Sequence, residues 1–436
     1  MKNLIFLLLL ASITLNAQTF DKQKMDRFFE LLETEQKGMG SLSIFKDGKE
    51  LYQKSIGYLS IEDDIKSNDK TAYRIGSISK TLTATIILKL AEERKLSLED
   101  KLSKYFSDLP NANDITIEML LKHRSGLFNF TDAPEYLDYM EKPHSREDLL
   151  SIFKKNGYSF KPNSKAEYSN TNYSLLAFIA EDVSKLSYYG LVQTYIIKPL
   201  DLKFTDVGEE IRISHNQAKS YTKLGNWVPA TQTHMSVPIG AGSIISTPTE
   251  LNIFFDGLFK GKLISISSLN RMCQIVEDYG MGIFTFPFHD KTAYGHNGGI
   301  DGFNSMSCYF KDEDVAITYL SNGVDYNVND IIIGALSIYF STDYDLPEFI
   351  ATIKLNEEEL RPFIGVYKSP TFPLDITITV ENNILICQAT DQPSFPLEAT
   401  SKNTFKFDAA QLEIEFPEEN KLILKQAGGV FELKKK

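Results

Sequence analysis

Ser77-Ile78-Ser79-Lys80 puts a hydroxyl and an amine one helical turn apart on a shared face. A serine attacks a carbonyl when a neighbouring base takes its proton, and an amine at this spacing lies within reach. Backbone N–H groups in the first turn of a helix lack intrahelical partners and point outward, where they stabilise an oxyanion. Five Ser-x-x-Lys matches occur, beginning at Ser43, Ser67, Ser77, Ser151 and Ser220. Only Ser77 opens a stretch apolar enough to be a buried helix, and a nucleophile must sit on a rigid, water-shielded element. Tyr168-Ser169-Asn170 is the single Tyr-x-Asn of the chain. His296-Asn297-Gly298 runs on into Gly299, where missing side chains let a substrate approach a strand's backbone. Lys/His-x-Gly alone is common here, starting also at Lys46, Lys155 and Lys223, so its weight comes from order and context.

The elements that must hold these groups follow from periodicity. Met25, Phe28, Phe29 and Leu32 mark an amphipathic helix. Residues 40–58 read as a hairpin around Asp47-Gly48. From Ser77 to about Lys95 the chain is helical and apolar on most faces. A mostly helical, loop-rich stretch runs to about residue 290. Strands are expected at Thr292–His296, Phe303–Phe310 and Val315–Ser321, and a helix over about Asp330–Phe340. The economical arrangement is an α+β fold: one antiparallel sheet from both ends of this region, flanked by helices, with the helical stretch inserted. Residues 355–436 change character to short alternating segments separated by turns, a small all-β barrel or sandwich.

Composition narrows the function classes. The 436 residues carry a net charge of −12, and both parts are acidic, with 36 Lys and Arg against 45 Asp and Glu over residues 18–354 and 9 against 13 over 355–436. Nucleic acid is thus disfavoured as a partner, and the tail is no basic anchor. Three cysteines and six scattered histidines disfavour a disulfide scaffold, a Cys-only zinc site or a metal enzyme. Lys2, the apolar run Leu4–Leu15 and Asn16-Ala17 read as a secretory signal over residues 1–17. That run is shorter than the ~20 residues a spanning helix needs. The expected organisation is a signal at 1–17, a catalytic domain at 18–347 and a β domain at 355–436, exported to a periplasmic or extracellular space without a stable membrane span.

Taken in order, Ser77-x-x-Lys80, Tyr168-Ser169-Asn170 and His296-Asn297-Gly298 resemble the three motifs of the class C-type β-lactamase and DD-peptidase superfamily. Residues 115–127, with Arg124 where Thr is usual, and residues 240–248 resemble two further segments of it. Leu360–Tyr367 resembles the start of a lipocalin-like tail domain. The resemblance implies a β-lactamase/transpeptidase-like fold and no cofactor. It implies acylation of Ser77, with Lys80 and Tyr168 moving the proton and Asn170 holding Lys80 and the substrate amide. His296 would stand beside the Tyr168 hydroxyl, Asn297 and Gly298 would bind substrate, and the N–H groups of Ser77 and Gly299 would form the oxyanion hole.

Lys at ~10.4 and Tyr at ~10 are both protonated at neutral pH, so one must be shifted by about 3 units. Burial lowers a lysine and a neighbouring cation lowers a tyrosine, so a shared proton is expected. His296 stands where class C β-lactamases carry Lys, and its ordinary value of ~6.5 predicts a rate that responds to pH near 6–7. The expected activity is hydrolysis of amide bonds in D-amino-acid peptides or β-lactam-like substrates. A carboxylester hydrolase shares every motif, and a non-catalytic peptide- or cell-wall-binding protein would keep the pocket without turnover.

Overall fold

A computed structural model describes residues 20–390 and 392–436, so the expected signal at 1–17 lies outside the described residues. Helix α1 (Lys22–Thr34) starts at Asp21, whose carboxylate accepts from the Lys24 N–H, and buries Met25, Phe28, Phe29 and Leu32. Strands β1 (Gly38–Lys46) and β2 (Lys49–Ile56) form the expected hairpin. Asp47 and Gly48 both take positive φ, 53° and 74°, as a two-residue hairpin turn demands.

Helix α2 (Ser79–Glu92) has every side chain from Ser79 to Leu88 buried. A helix with no polar face must be surrounded, and its hydroxyls must find partners inside. Thr81 donates to the Gly282 carbonyl at 2.7 Å and Thr85 to the Thr81 carbonyl at 2.8 Å. Helix α3 (Asn170–Ser184), buried from Thr171 to Ala180, packs beside it. The hairpin of β3 (Tyr221–Leu224) and β4 (Asn226–Pro229) and helix α4 (Pro248–Phe259) follow. Then come β5 (Phe284–Phe288), β6 (Lys291–Ile300), β7 (Phe303–Phe310), β8 (Val315–Val324) and helix α5 (Val328–Tyr339).

The main sheet has the order β5-β6-β7-β8-β1-β2. It joins the two ends of this part of the chain, pairing Leu42 with Tyr319 and Ile44 with Ile317. One face packs against α1 and α5, and the other against the core that holds α2, α3 and α4. The inserted stretch is less purely helical than its composition suggests: it carries the β3–β4 hairpin and a small sheet of Tyr73–Arg74, Ile244–Ser246 and Asp206–Val207. Pro287 hid β5, since proline cannot donate to a ladder and is confined to edges, where β5 lies.

Eight strands then form a closed barrel: β9 (Gly365–Lys368), β10 (Ile376–Glu381), β11 (Ile384–Ala389), β12 (Phe395–Ala399), β13 (Thr404–Phe407), β14 (Leu412–Glu418), β15 (Lys421–Gln426) and β16 (Gly429–Lys435). Pairing of Tyr367 with Lys435 and Lys368 with Lys434 closes it. Tyr367, Ile378, Cys387, Phe405, Ile414 and Leu422 are buried in its core, so side chains fill this barrel.

The barrel meets the sheet through a cluster of charges. Lys37 lies 2.7 Å from Asp325, 3.1 Å from Glu398 and 2.9 Å from Asp408. Burial, together with the neighbouring Glu398 and Asp408 charges, pushes Asp325 up to about 6 against the pull of Lys37. Burial would lower Lys37, yet the Asp325 and Asp408 carboxylates outweigh it and raise its value. Three carboxylates thus surround Lys37, and Lys406 also holds Asp408 at 2.9 Å. Lys37→Met is expected to destabilise the protein by about 3 kcal/mol, because it strands the buried Asp325 carboxylate. Asp325 has a folded value above its unfolded one, so its contribution is full below the unfolded value and fades as pH rises through about 6. Asp325→Asn is therefore expected to gain stability relative to the parent between about pH 5 and pH 8, read by urea unfolding at both pH values.

Candidate active site

Ser77 lies in a single 3-10 turn, Gly76–Ile78, that feeds α2. Gly76 takes φ +51°, and a Cβ there would come within 2.8 Å of the Gly299 nitrogen. A Cβ on Gly298 would strike the Ile75 carbonyl and stand 3.0 Å from the Ser77 nitrogen. These two glycines let the serine turn press directly against β6, bringing Ser77 beside Gly298 and Gly299. The Ser305 hydroxyl ties the two segments, 2.8 Å from the Ile75 carbonyl and 3.2 Å from that of Gly298.

Lys80 is fully buried on the first turn of α2. Its Nζ lies 3.0 Å from Ser77 Oγ, 2.7 Å from Asn170 Oδ1 and 2.8 Å from the Ala241 carbonyl. The Tyr168 hydroxyl donates to Ser77 Oγ at 2.6 Å. Amide carbonyls only accept, so Lys80 spends two N–H groups on Asn170 and Ala241. A neutral amine then has its lone pair free for the Ser77 proton. Burial drives both groups that way: it holds Lys80 well below the usual lysine range and lifts Tyr168 well above the usual phenol range. The two values move apart and favour a neutral amine and a neutral phenol, the arrangement in which the one proton expected to be shared by the pair rests on Tyr168.

Asn170 opens α3, and its N–H donates to Asn129 Oδ1 at 2.9 Å. Its Nδ2 donates one N–H to Thr131 Oγ1 at 3.0 Å, and Asn170 lines the cleft beside Ser77. His296 is buried. Its Nδ1 meets the Asn297 carbonyl at 2.5 Å, which places the proton on Nδ1, and the buried Nε2 has no hydrogen-bond partner. Its ring stands 6.4 Å from that of Tyr168 and makes no hydrogen bond to the hydroxyl. Burial first, then repulsion from Lys80 whenever that amine is protonated, pulls His296 down to about 3 despite the bond to Asn297. The expected titration near 6–7 is therefore corrected: an imidazole without solvent stays neutral through that range. Asn297 alternates to the opposite side from His296 and lines a separate hollow with Met306, Tyr326 and Val328.

Several groups here went unread in the sequence. The Ala241 carbonyl, within the 240–248 segment, is a backbone atom that residue types do not advertise. His123, within the 115–127 segment, stacks on Tyr168 with centroids 4.6 Å apart. Its Nδ1 accepts from the Ser169 N–H at 3.1 Å, so it anchors the turn that carries Tyr168. Arg124, the departure from the usual Thr, pairs with Asn163 at 2.7 Å and with Glu277 at 2.9 Å, outside the cleft. The cleft itself is about 360 Å³ and lies beside Ser77, Asn170 and Gly299, with Phe130, Tyr136 and Asp301 in its walls. Among the described residues no group of three or more His, Cys, Asp or Glu is placed to hold a metal ion, and no helix is long and apolar enough to cross a membrane.

A helix-embedded Ser-Lys pair under a tyrosine hydroxyl, at the edge of an α+β sheet, defines a serine hydrolase. The chain belongs to the Beta-lactamase family, which matches residues 26–334. It is 26% identical over 430 residues to penicillin-binding protein 4* of Bacillus subtilis, covering 91% of this chain and 93% of that one. It is 27% identical over 289 residues to the teichoic acid D-alanine hydrolase of Staphylococcus aureus, covering 65% of this chain and 70% of that one. Its fold is shared with the D-amino acid amidase of Ochrobactrum anthropi SV3, with a TM-score of 0.67 and 23% identity over 74% of this chain and all of the amidase.

Proposed function

We propose that this chain is an exported hydrolase that cleaves D-aminoacyl amide bonds through an acyl-enzyme on Ser77. The observation that carries the reading is the contact chain from Tyr168 to Ser77 to a fully buried Lys80. Lys80 takes the Ser77 proton as Oγ bonds to the substrate carbonyl carbon. The oxyanion faces the N–H groups of Ser77 and Gly299. As the C–N bond breaks, the leaving nitrogen takes a proton from Tyr168, which Lys80 replaces. Water then attacks the ester by the same path in reverse, and Ser77 regains its proton. Asn170 and Ala241 fix the Lys80 lone pair toward Ser77. D-amino acid amidase and teichoic acid D-alanine hydrolase among the similar proteins support D-aminoacyl groups as the acyl donor. A carboxylester is the second reading, since the same Tyr168–Ser77–Lys80 chain would acylate Ser77 from either bond. The division into a signal at 1–17, a catalytic domain at 18–347 and a barrel domain at 355–436 belongs to this proposal.

The test is intact-mass detection of a single adduct on Ser77 across D-aminoacyl amides, the matching esters and β-lactams. No adduct from any of them returns the chain to a binding role. Tyr168→Phe is expected to lower kcat about 10²- to 10⁴-fold with a smaller change in KM, since it removes one proton carrier. The pH profile of kcat/KM is expected to rise on one limb as Lys80 loses its proton. Because His296 is neutral down to about 3, His296→Asn is expected to leave the position of that limb unchanged between about pH 5.5 and 8, read from initial rates.

A further inference from the structure

His123 follows the short helix Ile117–Leu121 and takes φ +56°. Among the described residues other than glycine with positive φ, it alone is buried. A left-handed backbone beneath a side chain costs free energy, and such a residue persists where its surroundings over-determine it. Here the surroundings are the segment that carries Tyr168. The Glu167 N–H donates to the His123 carbonyl at 2.9 Å, and the Ser169 N–H donates to His123 Nδ1 at 3.1 Å. One residue thus holds the backbone on both sides of Tyr168. The imidazole also stacks on the phenol ring, with centroids 4.6 Å and planes 30° apart. Tyr173 at 5.2 Å and Tyr279 at 5.1 Å wall the imidazole in.

Because Nδ1 accepts, the ring proton sits on Nε2, which is buried and makes no hydrogen bond. An unpaired buried N–H costs stability, which a purely apolar ring would avoid. Burial, then repulsion from Lys80 and His296 whenever these are protonated, holds His123 well below the usual histidine range. A neutral ring leaves the stacked phenol its proton, whereas a cation there would favour phenolate.

We propose that His123 is a positioning residue for proton delivery: it holds the Tyr168 hydroxyl where the leaving group departs, by clamping the backbone of Glu167 and Ser169 and by stacking on the phenol. The inference rests on the reading that Ser77 is acylated while Tyr168 protonates the leaving nitrogen. Its consequence depends on the leaving group. An amide nitrogen needs that proton to depart, and p-nitrophenolate leaves without it. A displaced Tyr168 therefore slows amides and spares activated esters, whereas a general loss of packing slows both.

The test follows first-turnover release of chromophore from D-alanine p-nitroanilide and D-alanine p-nitrophenyl ester, which share one acyl group. His123→Ala is expected to lower the maximal rate for the anilide about 10²-fold with little change in half-saturation, and that for the ester no more than about threefold. His123→Asn tolerates positive φ and carries Oδ1 as many bonds from Cα as Nδ1, so it restores the Ser169 contact without the stack. It is expected to stand about tenfold above His123→Ala and about tenfold below the parent on the anilide. If His123→Ala does not fold, the anilide-to-ester ratio of His123→Asn against the parent decides the matter in the same way. Equal slowing of anilide and ester, slowing of neither, or a loss carried by half-saturation alone overturns the role of His123 while leaving acylation of Ser77 standing. Absence of a Ser77 adduct from either compound in the parent protein overturns the acyl-enzyme reading, and this inference with it.

Discussion

Ser77→Ala is expected to abolish the acyl adduct and to lower kcat by about 10⁶. The size of the effect follows from what else the site holds. Ser77 Oγ is the common partner of Lys80 at 3.0 Å and Tyr168 at 2.6 Å, so removing it leaves a base and an acid with nothing to act upon. The cleft and the backbone donors remain, so substrate affinity is expected to stay within a few fold, measured by KM or by binding of a non-hydrolysed analogue. The change is small for folding, because Ser77 is part of a short turn and is half-buried. Loss of the thermal transition would show that the substitution had damaged structure instead.

Lys80→Ala is expected to cost about 10⁴ in kcat, and the Ser77→Ala/Lys80→Ala double variant no more than Ser77→Ala alone. Residues acting on one proton are not additive, so this equality is the sharper measurement. A Lys80 that served only to pack α2 would instead add its loss to that of Ser77→Ala. The substitution also strips the Asn170 Oδ1 and Ala241 carbonyl of their shared donor, both in contact with a side chain that has no exposure. A lower unfolding midpoint is therefore expected alongside the rate loss. Lys80→Arg is not expected to rescue, since a guanidinium stays protonated and has no lone pair to give Ser77.

The order of the three motifs singled out Ser77, Lys80, Tyr168 and Asn170, and the fold brings these four into contact. What spacing could not supply was the state of those side chains. The His296 reference value suggested titration near neutrality, yet that value belongs to a solvated ring, and here Phe284 and the sheet exclude water. The Lys80 base emerges from three distances that no string of letters contains. Motif order likewise said nothing of direction: strand alternation turns Asn297 to the opposite side from His296. The α1 helix, the first hairpin and α5 were legible because their apolar periods are uninterrupted. The edge strand β5 was not, since Pro287 broke its pattern. The barrel's nature was readable from alternation, while its closure depends on β9 meeting β16, 60 or more residues apart.

The pairing of β1 with β8 also orders the events of folding. Leu42 finds Tyr319 only after almost the whole catalytic part has been synthesised, so the main sheet is a late, high-contact-order structure. The barrel is a meander in which each strand pairs with the next before β9 and β16 close it. Its loops are short, and it needs no strand from the rest of the chain. The chain therefore carries a large slow part and a small quick one, in that order along the sequence. Refolding after rapid dilution from urea should show the barrel's protection against hydrogen exchange first and that of β1 and β8 last. Until then, the edges of β1 and β8 are unpaired, which makes the interval before sheet closure the time when this protein is most exposed to aggregation.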